Sequence, residues 1–405
     1  MVQPLEGIRV LEMAAFHAGP AGTAILGDLG AEVIKIEQPG VGDPIRGSYR
    51  IGQISLEISD GMSLWNEGSN RSKKSITLDL TTARGREIAY RLASKSDVFL
   101  TNLRRQAVEK VKMEYSMLTH YNPQIIYAWV SAYGPKGPDS ERGGFDFQGQ
   151  GRSGMMFSIG EEGSHPLLSQ FGIVDQATAI MASHEILAAL FMRERTGIGQ
   201  EIHVSILGTA LYLLYMNVEM ALLGNFEVPR HTRPKEHALR NYYCCADDQW
   251  LIVTLPAIKQ QEQWHTFCEI LQYPELEYDS RFDTDDKRHD NAGQLVAILD
   301  QVFVTKPRDE WLRSLADRDL IACRVNRPSD LTNDPQIMEN DYIVDFDHPV
   351  LGKIQIPGYP VHFSKSWAGT KLAAPELGQH TEEILTEIGG YTKEEIAQFR
   401  EKSII

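Results

Sequence analysis

The chain has 405 residues, enough for two or three domains with sizeable cores. Its 55 acidic against 40 basic residues give a formal charge of -15, which argues against nucleic acid or an anionic membrane surface as the main partner. Cys244, Cys245, Cys268 and Cys323 fall into no metal-binding or disulfide spacing. The N-terminal MVQPLEGIRVLEM lacks the basic and apolar regions of a secretory signal, so the expectation is a cytoplasmic protein with reduced thiols.

In chain order, Ile8 to Ala14 reads as a strand, Gly19-Pro20 open a helix to about Leu29, and Ala31 to Glu37 is a second strand. Ser75 to Leu80, Asp97 to Thr101 and Ile125 to Val130 read as further strands, with a helix over Arg84 to Ser94. Strands alternating with helices of this length predict a doubly wound, mostly parallel α/β sheet. From Gly134 to Gly172 the composition turns to Gly, Pro, Ser and Asp without a period, as in a functional loop. A helix then runs from Ala179 to about Arg195, with Asp175 at the junction reading as its cap. A strand follows over Glu201 to Ser205, and the apolar run Ile206 to Leu223, broken by Asn217 and Glu219, reads as one buried helix.

The character changes near Gly224. The domain reading is a large domain over 1–223, a linker and small domain over 224–340, and a return segment over 341–405. The middle part holds a strand (Trp250 to Thr254) and helices over Gln261 to Leu271, Asn291 to Thr305 and Arg308 to Ala316. Two strands (Gly352 to Ile356, Tyr359 to Phe363) and a last helix follow, the helix marked by a Thr392/Glu395 capping box.

Familiar motifs fail on inspection. Gly19-Pro20-Ala21-Gly22 is not a dinucleotide fingerprint, and the GxGxxG at Gly149 to Gly154 follows no strand. His184-Glu185 lacks the second histidine of a zinc site, since Ala188 stands there, and no G-x-S-x-G elbow occurs. Two basic groups are more suggestive: Arg71, Lys73 and Lys74, and Arg104, Arg105, Lys110 and Lys112. Loops beyond strand C-termini share a crevice, so part of this set could line an anionic pocket.

PLEGIRVLEM with AGPAGTAILGDLGAEVIKIEQPGVGDPIRG, NRSKKSITLDL (Asn70 to Leu80) and DVFLTN (Asp97 to Asn102) together resemble stretches of the class III CoA-transferases. Tyr133-Gly134 with Gly137-Pro138, FGIVDQATAIMASHEILAALFMRERTGIGQEIHVSI and GQHTEEIL complete the set in order along the chain. The resemblance implies a Rossmann-like large domain built from both chain ends, a small middle domain, and interlocked subunits, either a homodimer or a heterodimer with a paralogue. It implies acyl-CoA and a carboxylic acid as substrates, with no permanently bound cofactor and no metal.

The resemblance also places the nucleophilic aspartate on Asp175, where a helix N-terminus favours the ionised form. CoA contacts map onto Phe16, His17, Ala18, Leu78, Asn102 and Leu103, with Lys110 for phosphate. Gln38 and Thr81 replace basic residues of the pattern, leaving Arg71, Lys73, Arg104 or Arg105 to substitute. Phe145 stands where related racemases carry a proton-transferring histidine, which disfavours a racemase or epimerase; retention of Asp175 disfavours a non-catalytic CoA-binding subunit. Asp146 is kept beside it as a supporting residue or a turn Asp. His231 to Asn241 lacks the glycine-rich loop of the formyl-CoA transferases in that family, so the resemblance implies larger 2-hydroxy, aryl or substituted succinic acids rather than oxalate and formate. Met155, Met156 and Phe157 would serve either an acyl pocket or the core.

Overall fold

The computed structural model describes residues 2–47, 50–59, 61–235 and 237–405; Glu236, within the His231 to Asn241 stretch, lies outside them. The chain divides into two compact units, one over 1–156, 168–227 and 340–405, the other over 157–167 and 228–339.

The first unit is organised by a six-stranded sheet. Its strands are β1 (Arg9–Met13), β2 (Glu32–Glu37), β3 (Lys73–Thr77), β4 (Val98–Thr101), β5 (Ile126–Ser131) and β6 (Gln200–Ser205). They lie in the order β6-β5-β4-β1-β2-β3, every neighbouring pair parallel. The helices are α1 (Ala18–Asp28), α2 (Leu64–Asn70), α3 (Ala83–Ala93), α4 (Arg105–Lys110), α5 (Tyr115–Tyr121), α6 (Asp146–Arg152), α7 (Ile173–Thr196), α8 (Ile206–Leu213) and α9 (Tyr215–Leu223).

Alternate strand residues feed two cores, as the pleat requires. Leu11, Ile34, Ile76, Phe99 and Tyr127 pack on one face with α3 and α5. Val10, Val33, Val98, Leu100 and Ile126 pack on the other with α1 and α7. Gly22 lets those two helices meet, because a Cβ there would stand 3.2 Å from the Ala179 carbonyl oxygen.

In the second unit, β7 (Arg240–Cys244), β8 (Trp250–Thr254) and β9 (Ala322–Val325) form an antiparallel sheet. It shares an aromatic core with α10 (Gln260–Ile270), α11 (Ala292–Phe303) and α12 (Arg308–Ala316), centred on Trp264, Phe267, Phe303 and Trp311. Cys245 and Cys268 belong to that core, and all four thiols are free. The return segment supplies an antiparallel pair, β10 (Ile343–His348) and β11 (Gly352–Pro357), and helices α13 (Thr381–Glu387) and α14 (Lys393–Glu401), which complete the α3 face. Thr392 and Glu395 make the reciprocal capping bonds of α14, at 3.2 and 2.9 Å.

Three expectations are corrected. Tyr359 to Phe363 is not a strand; β11 pairs backwards with β10, and Pro357 and Pro360 lack the N–H groups a further ladder needs. Ile206 to Leu223 is not one buried helix. It bends by 75° between α8 and α9, and α9 buries none of its residues. No single helix among the described residues is long and apolar enough to cross a membrane. Finally, α7 begins at Ile173, six residues before the expected start, so Asp175 sits inside its first turn.

Candidate active site

The strand order reverses between β1 and β4, so the loops leaving their C-terminal ends diverge and open a crevice, the usual ligand position in such sheets. A cleft of about 250 Å³ lies there. Ala15, Phe16, His17 and Ala18 line it after β1, and Asn102, Leu103 and Arg104 after β4; Phe145 and Asp175 complete the wall. Asn102 ties the two loops together: its Oδ1 accepts from the Ala15 N–H (2.9 Å) and its Nδ2 donates to the Ala15 carbonyl (2.6 Å).

Phe16 adopts a left-handed backbone (φ 65°), unusual for a bulky side chain. Its N–H donates to Asp43 Oδ1 at 3.1 Å, and its ring packs edge-on against Phe145 at 5.5 Å. Trp65 lies 6.3 Å from Phe16, and Phe171 lies 6.3 Å from Trp65, so a run of four aromatic rings starts at the cleft wall, where Phe16 and Phe145 stand. His17 has both ring nitrogens engaged, Nδ1 with Ser69 Oγ (2.7 Å) and Nε2 with Gln176 Oε1 (3.0 Å). Burial lowers its pKa, so the ring is neutral and joins α1, α2 and α7. The cap residue of α1, His17, makes no side-chain capping bond among the described residues, and this helix start lines the cleft.

Beneath this turn lies a charge network that sequence reading missed. Glu12 receives Lys35 Nζ and Lys73 Nζ, each at 2.7 Å, and the Thr23 hydroxyl. Lys35 also meets Asp43 (2.9 Å) and donates to the Ala14 carbonyl, while Lys73 donates to the Pro20 carbonyl, both at 2.7 Å. The side chains of Glu12, Lys35 and Lys73 are wholly buried. Burial by itself pushes the Glu12 carboxyl up, and the two ammonium groups outweigh it and hold it at about 2. The signal was legible as a charge between apolar neighbours inside each strand: Glu12 in RVLEM and Lys35 in EVIKIE.

Asp175 is only 7% exposed, and among the described residues its Oδ1 has no hydrogen-bond partner. Burial first, and the charge of Asp146 second, push its carboxyl up to about 7. It does not cap its helix as expected. The cap position is Gly172 (φ 79°), and the first-turn N–H groups of Val174 and Asp175 donate instead to Asp146 Oδ1, at 2.7 and 3.1 Å.

The remaining expected contacts are scattered. Leu78 is a core residue whose backbone N–H bonds the Glu37 carbonyl. Met155 packs with Val174, Ile206 and Ala210 in a small core. Phe157 stacks under Arg230 within the second unit. Arg71 is paired with Asp28 (2.7 Å) in the last turn of α1, and Lys73 is consumed by Glu12, so neither is a free phosphate ligand. Both follow from position: Arg71 and Lys73 stand at the start of β3, whereas the crevice opens at strand ends. Arg105 stacks on Trp129 (4.7 Å), and Lys110 stands exposed at the end of α4. Gln38 is exposed, and Thr81 bonds Asp79 at 2.6 Å.

The model of CoA-transferase family III matches residues 5–381. The chain is 31% identical over 403 residues to (R)-2-hydroxy-4-methylpentanoate CoA-transferase of Clostridioides difficile, covering 99% of each. It is 32% identical to mouse succinyl-CoA:glutarate CoA-transferase, covering 96% of this chain and 87% of the relative. The crystal structure of a CAIB/BAIF family protein from Brucella suis superposes with a TM-score of 0.85 at 29% identity, over 96% of this chain and all of that one. With this crevice and this whole-length match, the chain belongs to CoA-transferase family III and is an enzyme of that type.

Proposed function

We propose that the protein moves coenzyme A between two carboxylic acids through covalent intermediates on Asp175. The observation that carries this reading is a nearly buried carboxylate with an unpartnered oxygen, set in the wall of the crevice at the sheet's switch point. The Asp175 carboxylate attacks the acyl-CoA carbonyl carbon; the C–S bond breaks, leaving an acyl-aspartyl anhydride and CoA thiolate. The thiolate attacks the aspartyl carbonyl and expels the donor acid, giving an aspartyl-CoA thioester. The acceptor carboxylate then displaces CoA to form the second anhydride, and the returning thiolate takes the acceptor's acyl group and frees Asp175. No step calls for a resident cofactor or metal.

The β1–α1 turn and Asn102 are proposed to receive the CoA thioester end. The rings of Phe16, Phe145, Trp65 and Phe171 suit a sizeable apolar acyl group, as in 2-hydroxy or aryl acids. A dicarboxylic acid is the second reading, favoured by Arg104 and Arg142 in the same cleft. A second subunit, identical or paralogous, is expected over α8 and α9, where Tyr212, Tyr215, Met216, Leu222 and Leu223 are each more than half exposed.

The test is incubation with succinyl-CoA and with aryl-acyl-CoA donors, trapping with hydroxylamine, and peptide mapping. Label is expected on Asp175 and absent from Asp175→Ala, which retains CoA binding. A donor that turns over without labelling Asp175 rules the covalent route out.

A further inference from the structure

The carboxylate that caps α7 comes from another helix, 28 residues earlier in the chain. Asp146 is buried, and each of its oxygens is committed: Oδ1 to the Val174 and Asp175 N–H groups, Oδ2 to Gln150 Nε2 at 2.6 Å. Gln150 is itself fully buried, and its Oε1 accepts from the Ser169 N–H (2.9 Å) and hydroxyl (3.0 Å). A continuous chain of hydrogen bonds thus runs from the loop preceding α7, through α6, to the backbone of the candidate nucleophile. Gly172 has no side chain with which to cap the helix, so this start is tied to α6.

We infer that Asp146 is a positioning residue for Asp175, fixing the first turn of α7 and opposing a negative charge on its neighbour. The inference rests on Asp175 being the nucleophile. Two consequences follow. The Val174 and Asp175 N–H groups are occupied and do not serve an oxyanion at the attacked carbonyl; the N-terminus of α1, whose cap residue His17 makes no side-chain capping bond, also lines the cleft. Moreover, Asp175 is an anion only while it is the free carboxylate. In the anhydride and the thioester it is neutral, and the repulsion from Asp146 disappears. The pair therefore destabilises the resting anion relative to both covalent intermediates, within a buried site where such repulsion is strong. Among the described residues, the other charged or titratable groups at the first turn of α7 and in the cleft lining are His17 at the start of α1, held by Gln176 and Ser69, and Arg104, Glu141 and Arg142. From α8 the cleft receives only Ile206.

The experiment compares Asp146→Asn and Asp146→Glu with the intact enzyme, reading the pH profile of kcat/KM and hydroxylamine-trapped label on Asp175. Asparagine keeps an acceptor for the α7 N–H groups but removes the charge. Its acid limb is expected to fall by about one pH unit, with less covalent enzyme at steady state. Glutamate keeps the charge but displaces the oxygen; its limb should stay put while kcat falls about tenfold or more. A profile for Asp146→Asn that superposes on the intact enzyme's, with Asp175 still labelled, overturns the inference, as does an undiminished kcat in Asp146→Glu. Absence of label on Asp175 in the intact enzyme is a separate failure, that of the nucleophile itself.

Discussion

Glu12→Gln probes the buried network under the β1–α1 turn. Four charges balance there: Glu12 and Asp43 against Lys35 and Lys73. The substitution changes almost no volume but removes the anion that keeps Lys73, already pulled down to about 7 by burial, in its charged form, so this lysine is left without its counter-ion in a wholly buried place. Breaking a buried ion pair in this way costs about 3–5 kcal/mol. At about 2–4 °C per kcal/mol for a unit of this size, the melting temperature should fall by about 6–20 °C. Adding Lys73→Met restores the balance, because Lys35 keeps Asp43 at 2.9 Å. The double variant should therefore be more stable than the sum of the two single losses. Differential scanning calorimetry of the four proteins at pH 7 gives the cycle. A Glu12→Gln drop below about 2 °C, or strictly additive losses, would refute the argument that charge balance holds this turn.

Asp175→Asn should be more stable than the native enzyme at pH 8. The folded-state pKa of Asp175 is raised to about 7, so its favourable contribution is complete below the unfolded value and lost as pH rises through about 7. The neutral variant escapes that loss, by at most about 4 kcal/mol, and the advantage should vanish near pH 4; melting curves at both pH values check this. Asn102→Ala removes both bonds to Ala15, and KM for acyl-CoA should rise about tenfold with a stability loss of about 2 kcal/mol. An unchanged KM in steady-state assays would show that the loops hold their places without it.

The alternation of apolar runs with helical stretches was enough to foresee all six parallel strands to within two or three residues, because pleat and helix periods are local properties. The Thr392/Glu395 cap was legible for the same reason. Asp175, Phe16, His17, Asn102 and Leu103 could be named from their sequence context, and all of them line one cleft. What each does there was not legible. Whether Lys73 meets a ligand or Glu12 depends on a partner 61 residues away, and whether Asp175 caps its helix depends on Asp146 reaching it from α6. The apolar stretch Ile206 to Leu223 looked buried because its composition is apolar; only the tertiary structure shows that this chain leaves α9 uncovered. Hydrophobic period and turn chemistry are written in neighbouring residues and so determined the sheet. Burial and charge pairing are set by residues far apart in sequence, so the burial of Asp175, the balance around Glu12 and the capping of α7 by Asp146 were decided only when the strands met.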